Sequence, residues 1–314
     1  MNLPLEKLRC PDCKNARLII KRPSEIYCEH CMAAFPFQGH RPILLSHDNT
    51  LFPIDAYLKE PQRKAPSFFA RAWPKASVNL SRKIILLKLQ EKLHEKAAQN
   101  TVLVIGGGAQ KSQLNALFHR TNKSITVIYS DIDLGADVDL FCDGHNLPFQ
   151  GGTFDAVVTT AVLEHVMYPE KVASEITRVL KCDGLLYSEL PFMQQVHEGA
   201  YDFTRYTLSG HRRLFNMFGE LESGLVAGPA TAMVWSIENF ALAFFRSKAL
   251  RMVIKALVRL LVGWIKYLDY VIKDRPEALD GAACTFFFGS KSSSQVLDVK
   301  IIEDYVGAKV IKHV

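Results

Sequence analysis

The sequence predicts an α/β protein built on a doubly wound, mostly parallel sheet, with a small metal-binding module before it and a helical insertion within it. Three observations predict this. Apolar, β-branched runs alternate with amphipathic stretches in the order 102–106, 112–120, 125–130, 137–142, 155–160, 170–180 and 184–190, which implies βαβ units and a parallel sheet. The run 101–105 meets Gly106, Gly107 and Gly108, where missing Cβ atoms let backbone amides approach a ligand. The next two runs end at Asp131 and Asp143. Ligands of such sheets bind outside the carboxyl ends of the strands, and two acids there suit a ribose and an adenine.

The 314 residues, 48% of them hydrophobic, are enough for one large domain and a small one. The net charge of +6 fits an acidic partner surface such as anionic lipid or RNA. Residues 1–9 hold no apolar segment of a secretory leader. No uncharged apolar run is long enough to span a bilayer. A cytoplasmic protein, peripheral at the inner membrane face, is expected.

Cys10, Cys13, Cys28 and Cys31 form two C-x-x-C pairs around the strand-like stretch 16–21. This spacing argues for a reduced compartment and a metal rather than disulfides. Four thiolates close a tetrahedron around Zn²⁺, so the role is structural, and the ion would supply much of the folding energy of so small a module, 1–46. His30 is a spare ligand candidate, better read as a surface residue.

Residues 47–100 are a linker and a leading helix. Pro53, Pro61, Pro66 and Pro74 stiffen the linker. Phe52, Tyr57, Phe68, Phe69 and Trp73 imply that it packs on something. The helix is expected over 80–98, with Ser81 as cap and Ile85, Leu86, Leu89 and Leu93 as its apolar stripe.

The central block, expected over 101–290, continues through Leu147-Pro148-Phe149, the run 153–158, Leu163-Glu164-His165-Val166, the run 176–181 and Gly184 to Tyr187. In this order and spacing these motifs resemble the class I S-adenosylmethionine-dependent methyltransferases, over 101 to about 218 plus a last strand near 283–289. The resemblance implies a Rossmann-like, seven-stranded sheet and an S-adenosylmethionine cofactor. It implies that Gly106, Gly107 and Gly108 line the methionine end, that Asp131 accepts from the ribose hydroxyls, and that Asp143, Gly144 and His145 sit by the adenine. Ala161, after the fourth strand, would pass near the sulfonium. Two positions depart from the pattern: Val104 stands where many members carry an acid, and Gln110 where the last glycine falls. The module 8–45 looks like the small zinc-ribbon proteins that activate methyltransferases of tRNA and translation factors.

The loop 189–207 holds His197, Asp202, Arg205 and Tyr206, and loops at this end of the sheet carry substrate chemistry. It resembles a branch of bacterial methyltransferases associated with cell-envelope polysaccharide synthesis. Transfer to a hydroxyl needs its proton removed. His197 is the first choice of base, Asp202 its orienter or substitute, and His165 the second choice. Arg205 could clamp a phosphate or carboxylate, or pair internally with Asp202. Tyr206 could stack on a sugar or base.

About fifty residues, 227–282, separate the sixth strand, expected at 220–226, from the seventh, and long insertions tend to be functional. On a helical wheel over 248–273, Lys248, Arg251, Lys255, Arg259 and Lys266 share one face, and Leu250, Ile254, Leu257, Leu261 and Ile265 the other. The stripe fits a membrane surface or an acidic partner, or it packs its apolar side on the sheet. The tail, 291–314, returns to β-like alternation at 296–302 and has no functional reading.

The expected activity is O-methylation of a glycan or glycolipid precursor at the inner membrane face. One rival is an RNA methyltransferase, which the mild basic charge would fit. Thr159-Thr160-Ala161-Val162 after the fourth strand lacks the Asn/Asp-Pro-Pro-aromatic signature of base-amino methylation. The other rival is a non-catalytic scaffold on a relic cofactor fold.

Overall fold

The computed structural model describes residues 4–22, 25–59, 76–108, 111–118 and 124–308. The expected Phe68, Phe69, Trp73, Pro61, Pro66, Pro74 and Gln110 lie outside the described residues.

The N-terminal module is a four-stranded antiparallel sheet: β1 (Leu18–Arg22), β2 (Glu25–Cys28), β3 (Ala34–Gln38) and β4 (Arg41–Pro42). The central sheet contains β5 (Asn100–Ile105), β6 (Ile125–Asp131), β7 (Leu140–Phe141), β8 (Phe154–Thr160), β9 (Leu180–Pro191), β10 (Phe218–Ala227) and β11 (Cys284–Lys291). Its order is β10-β11-β9-β8-β5-β6-β7. β7 to β9 pair parallel through β6, β5 and β8, while β11 runs antiparallel between β9 and β10. This is the seven-stranded, mostly parallel Rossmann-like sheet that the sequence predicts. β5 and β8 are apolar and buried almost throughout, as strands covered on both faces must be.

Helix α1 (Arg82–Lys96) buries Ile85, Leu86, Leu89 and Leu93 on one sheet face, with Leu114 and Phe118 of α2 (Lys111–Phe118) beside them. Each such leucine removed from water is worth about 1.5–3 kcal/mol. Ser81 makes no capping hydrogen bond. Asn79 caps instead, its Oδ1 accepting from the Arg82 N–H at 2.9 Å. On the opposite face lie α3 (Pro169–Val179) and the N-terminal module, sharing one cluster with Leu8, Leu18, Ile26, Phe35, Val172 and Ile176.

The module also extends the sheet edge. Ile43 bridges Phe141 in parallel, Leu8 bridges Phe149, and the Leu44 N–H donates to the Phe141 carbonyl at 2.9 Å. Arg9 joins Glu175 of α3 at 2.8 Å. The edge that β7 would otherwise expose is thus covered.

Past α4 (Leu208–Leu214) and β10 comes the insertion: α5 (Pro229–Ala243), α6 (Lys248–Val262), a 3₁₀ segment (Gly263–Leu268) and a short helix (Asp269–Ile272). The single helix expected over 248–273 therefore ends at Gly263. The insertion is anchored by Asp269, fully buried, which accepts from the N–H groups of Gly228, Ala230 and Thr231 and from the Thr231 hydroxyl at 2.6 Å. A carboxylate at a helix N-terminus satisfies orphan donors and the dipole together.

Of the two arrangements left open for α6, the one with its apolar side on the sheet is not the one observed. Arg259 and Lys255 turn inward to Glu238 of α5, while Leu250, Val253, Leu257, Leu260 and Leu261 face outward. Leu260 is 77% exposed, Phe240 70% and Trp264 59%. The buried Glu238 is the cause, because a carboxylate out of water needs a cationic partner. Among the described residues no helix is long and apolar enough to cross a membrane. The tail also differs from expectation. Asp298–Glu303 is a short helix beside α4, not a strand; on either side of it the Val296 N–H donates to the Asn216 carbonyl and the Arg212 side chain donates to the Asp304 carbonyl, rather than to a sheet edge.

Candidate active site

The first three strands of the parallel half end around one cavity. Gly106, Asp131, Asp143, Gly144, His145, Val162 and His165 line it, with Leu51, Phe52, Tyr201 and Phe203 over the mouth. Gly106 has φ +68°, and a Cβ there would come within 2.2 Å of Val162 Cγ2, so no other residue fits this turn without strain. Gly107 serves packing: a Cβ would lie 2.7 Å from Tyr129. The Gly108 N–H donates to Asp131 Oδ2 at 3.2 Å. Val104 is a buried core residue of β5.

Asp131 accepts from Ile132 and Asp133 through Oδ1 at 2.8 and 3.1 Å. With Gly108 this occupies three of about four acceptor sites, leaving capacity toward the cavity. Burial raises its carboxyl above the ordinary value, against these backbone donors. Asp143 is more fully engaged. Oδ1 takes the His145 N–H at 2.9 Å and His145 Nδ1 at 2.7 Å, and Oδ2 takes Asn49 Nδ2 at 2.9 Å. Burial opposes ionisation of Asp143, but the His145 and Asn49 donors outweigh it and hold the carboxyl low. His145 Nε2 accepts from the Tyr168 N–H at 3.2 Å, so its proton is on Nδ1. The residues present fit a nucleoside: one carboxylate with spare capacity, a turn free of Cβ atoms, and apolar walls.

Ala161 falls elsewhere. It lines a neighbouring cleft with Arg82, Glu189, Gln194 and Trp235 on the other side of β8. Its φ of +55° is a strained conformation for alanine.

The histidines converge beside the cavity. His165 and His197 meet edge to face with centroids 4.7 Å apart. His165 Nδ1 donates to the Tyr201 carbonyl at 2.7 Å. His197 Nδ1 faces only acceptors, Asp202 Oδ2 at 3.3 Å and the Gln195 carbonyl at 3.4 Å. Each ring therefore turns Nδ1 to an acceptor and leaves Nε2 outside those bonds. Asp202 also accepts the His197 backbone N–H at 2.9 Å. The Arg205 bonds hold its carboxyl down at about 2, so it orients His197 and is no substitute base.

Two expected substrate contacts are corrected. Arg205 gives its five N–H donors to Asp202 and to the carbonyls of Gln194, Gln195 and Thr204, leaving none for a phosphate. Tyr206 points into a cleft between α3 and α4, beside Glu170 and Arg213, away from the histidines.

Sequence reasoning missed Glu164, Asn49 and the aromatic rim of Phe52, Tyr201 and Phe203. Glu164 is fully buried, and neither carboxylate oxygen has a hydrogen-bond partner. Burial pushes its carboxyl up to about 7.

In the N-terminal module the four thiol sulfurs lie within 4.8 Å of one another. Cys10 and Cys31 are 3.6 Å apart, as are Cys13 and Cys28. That is far beyond a disulfide bond and close to the ~3.8 Å edge of a tetrahedron with zinc–sulfur bonds of about 2.3 Å. The knuckles are alike: Lys14 and Met32 both have φ +65°, and their N–H groups return to Cys10 and Cys28 at 3.0 Å.

Residues 106–188 match the family described as a methyltransferase domain. No curated protein matches the chain. Among solved structures, a candidate sarcosine dimethylglycine methyltransferase from Galdieria sulphuraria is similar with 13% identity and a TM-score of 0.42, over 69% of this chain and 94% of that one. Phosphoethanolamine N-methyltransferase 2 of Haemonchus contortus gives 17% and 0.42, over 69% of this chain and 54% of its own length, so the match spans about half of that protein. A chain of the complex between the Haloferax volcanii Trm112 methyltransferase activator and a candidate methyltransferase gives 18% and 0.40, over 69% and 96%.

Proposed function

We propose that this chain, whose central domain is that of an S-adenosylmethionine-dependent methyltransferase, methylates a hydroxyl on a glycan or glycolipid precursor at the inner face of the membrane. The observation that carries the reading is the cavity shared by Gly106, Asp131 and Asp143 with His165, and with His197 set edge to face against His165 at its rim. When bound, S-adenosylmethionine supplies an electrophilic methyl on a sulfonium. Asp131 would hold the ribose hydroxyls, Gly106 would let the chain pass close, and the segment 144–145 would flank the purine. The aromatic rim would exclude water. The paired Nε2 atoms of His165 and His197 mark where the acceptor hydroxyl loses its proton, with Asp202 orienting His197. The four cysteines would hold a structural Zn²⁺.

The membrane assignment rests on the outward apolar face of α5 and α6. A contiguous exposed apolar surface of this kind marks an interaction site, and Trp264, Tyr267 and Tyr270 suit the headgroup boundary. The same packing weighs against RNA, because Lys255 and Arg259 are spent on Glu238 instead of facing a phosphate backbone.

Calorimetry with S-adenosylmethionine tests the enzyme reading, and absence of micromolar-range binding would favour the scaffold. Mass spectrometry of membrane and soluble extracts incubated with isotopically labelled cofactor tests the acceptor. Label in glycans or glycolipids is expected, and label confined to RNA would reject the assignment.

A further inference from the structure

Glu164 poses a problem that the proposed chemistry leaves unsolved. Its side chain is wholly buried, and both carboxylate oxygens lack any donor. A bare carboxylate in that position costs several kcal/mol, and buried polar groups ordinarily find partners. Arg205, the nearby cation, is committed to Asp202.

What faces Glu164 is a pair of imidazoles. His165 Nε2 lies 3.8 Å from Glu164 Oε1. One ligand atom from each of Glu164, His165 and His197 falls within 4.8 Å of the other two. We propose that Glu164, His165 and His197 hold a divalent transition-metal ion at the mouth of the cofactor cavity.

Three features support it. The donor set is two imidazoles and one carboxylate, which suits first-row ions and leaves positions open for water or a substrate hydroxyl. The tautomers are right: each ring turns Nδ1 toward an acceptor and leaves Nε2 bare. The outer contacts are those that metal-bound histidines use, a carbonyl for His165 (Tyr201) and a carboxylate for His197 (Asp202). Three ligands about 2.1 Å from one ion lie ~3–3.6 Å apart, so closure asks side-chain shifts of up to about an ångström. His197 is exposed and free to make it.

The consequence deepens the proposed activity and rests on it. An ion there would bind the acceptor oxygen beside the sulfonium and lower the pKa of its proton. His165 and His197 would then act as ligands rather than as free bases. Lowering a bound hydroxyl's pKa needs no redox partner: the O–H bond breaks with its proton leaving to solvent, and the oxygen's electron pair forms the new C–O bond as the methyl C–S bond breaks, its pair leaving on sulfur to give the thioether.

The test uses the full chain with its cysteine site filled by zinc, titrated with Co²⁺. The expected result is one further Co²⁺ per chain, with weak visible d–d bands and no thiolate charge-transfer band. Glu164→Gln and His197→Gln should each weaken that binding tenfold or more. His197→Gln alters an exposed side chain and cannot be dismissed as misfolded. Failure to take up a second ion, a thiolate-type spectrum, or undiminished binding by both variants would overturn the proposal. Calorimetry with S-adenosylmethionine on the same samples keeps this outcome apart from failure of the methyltransferase reading, since Asp131 and Gly106 are untouched.

Discussion

Arg259 donates to Glu238 through Nε at 2.6 Å and Nη2 at 3.1 Å, and this pair sets which side of α6 meets water. Lys255 adds its charge at 3.3 Å. With the cations drawn inward, the leucines must point out.

That orientation predicts membrane partitioning. Leu260→Asp with Leu261→Asp should reduce co-sedimentation with anionic vesicles by at least about tenfold. Cofactor affinity should be unchanged, because the face is remote from the cavity. Equal partitioning of variant and parent would remove the membrane from the proposal.

Asp131→Ala should weaken S-adenosylmethionine binding by roughly 10- to 100-fold in calorimetry, the worth of one or two hydrogen bonds to a buried carboxylate. Asp143→Asn should have a smaller effect on affinity and a larger one on stability, because His145 and Asn49 already hold that carboxylate.

His197→Ala should slow methyl transfer by roughly a hundredfold at normal cofactor affinity. A near-parental rate in single-turnover assays would discard His197 from the chemistry.

Acid stability should depend on His211. This ring is fully buried between Ser188 (3.0 Å) and Thr285 (3.2 Å), and burial lowers its pKa to about 3. Between about 3 and the unfolded value near 6.5, the unfolded chain binds a proton that the folded chain does not. Stability should therefore fall as pH drops through this window, by up to ~1.4 kcal/mol per unit. His211→Gln should flatten the acid limb in denaturant titrations, and an unaltered limb would refute the assignment.

The parallel sheet was legible because strands buried on both faces read as unbroken apolar runs, as in β5 and β8. The glycine turn and the acids after it were legible because their positions follow strand ends. The side-chain assignments were less so. Periodicity shows which residues of α6 share a face, but which face turns inward depends on Glu238, from another helix. Arg205 and Tyr206 sat in a loop dense with polar residues, and nothing local says that Asp202 and three carbonyls consume the guanidinium. Glu164, inside an apolar stretch, gives no outward sign that its carboxylate is sealed off.

The small cysteine-bound sheet reaches further than its size implies. It is stitched to β7 at Ile43 and Leu44, and Asn49, a few residues on, holds the acid expected to meet the purine. Chelating the zinc proposed for its four cysteines should therefore loosen nucleoside capture as well as the N-terminus. Metal supply would then act as a throttle on methylation from a distance, without touching the reacting atoms.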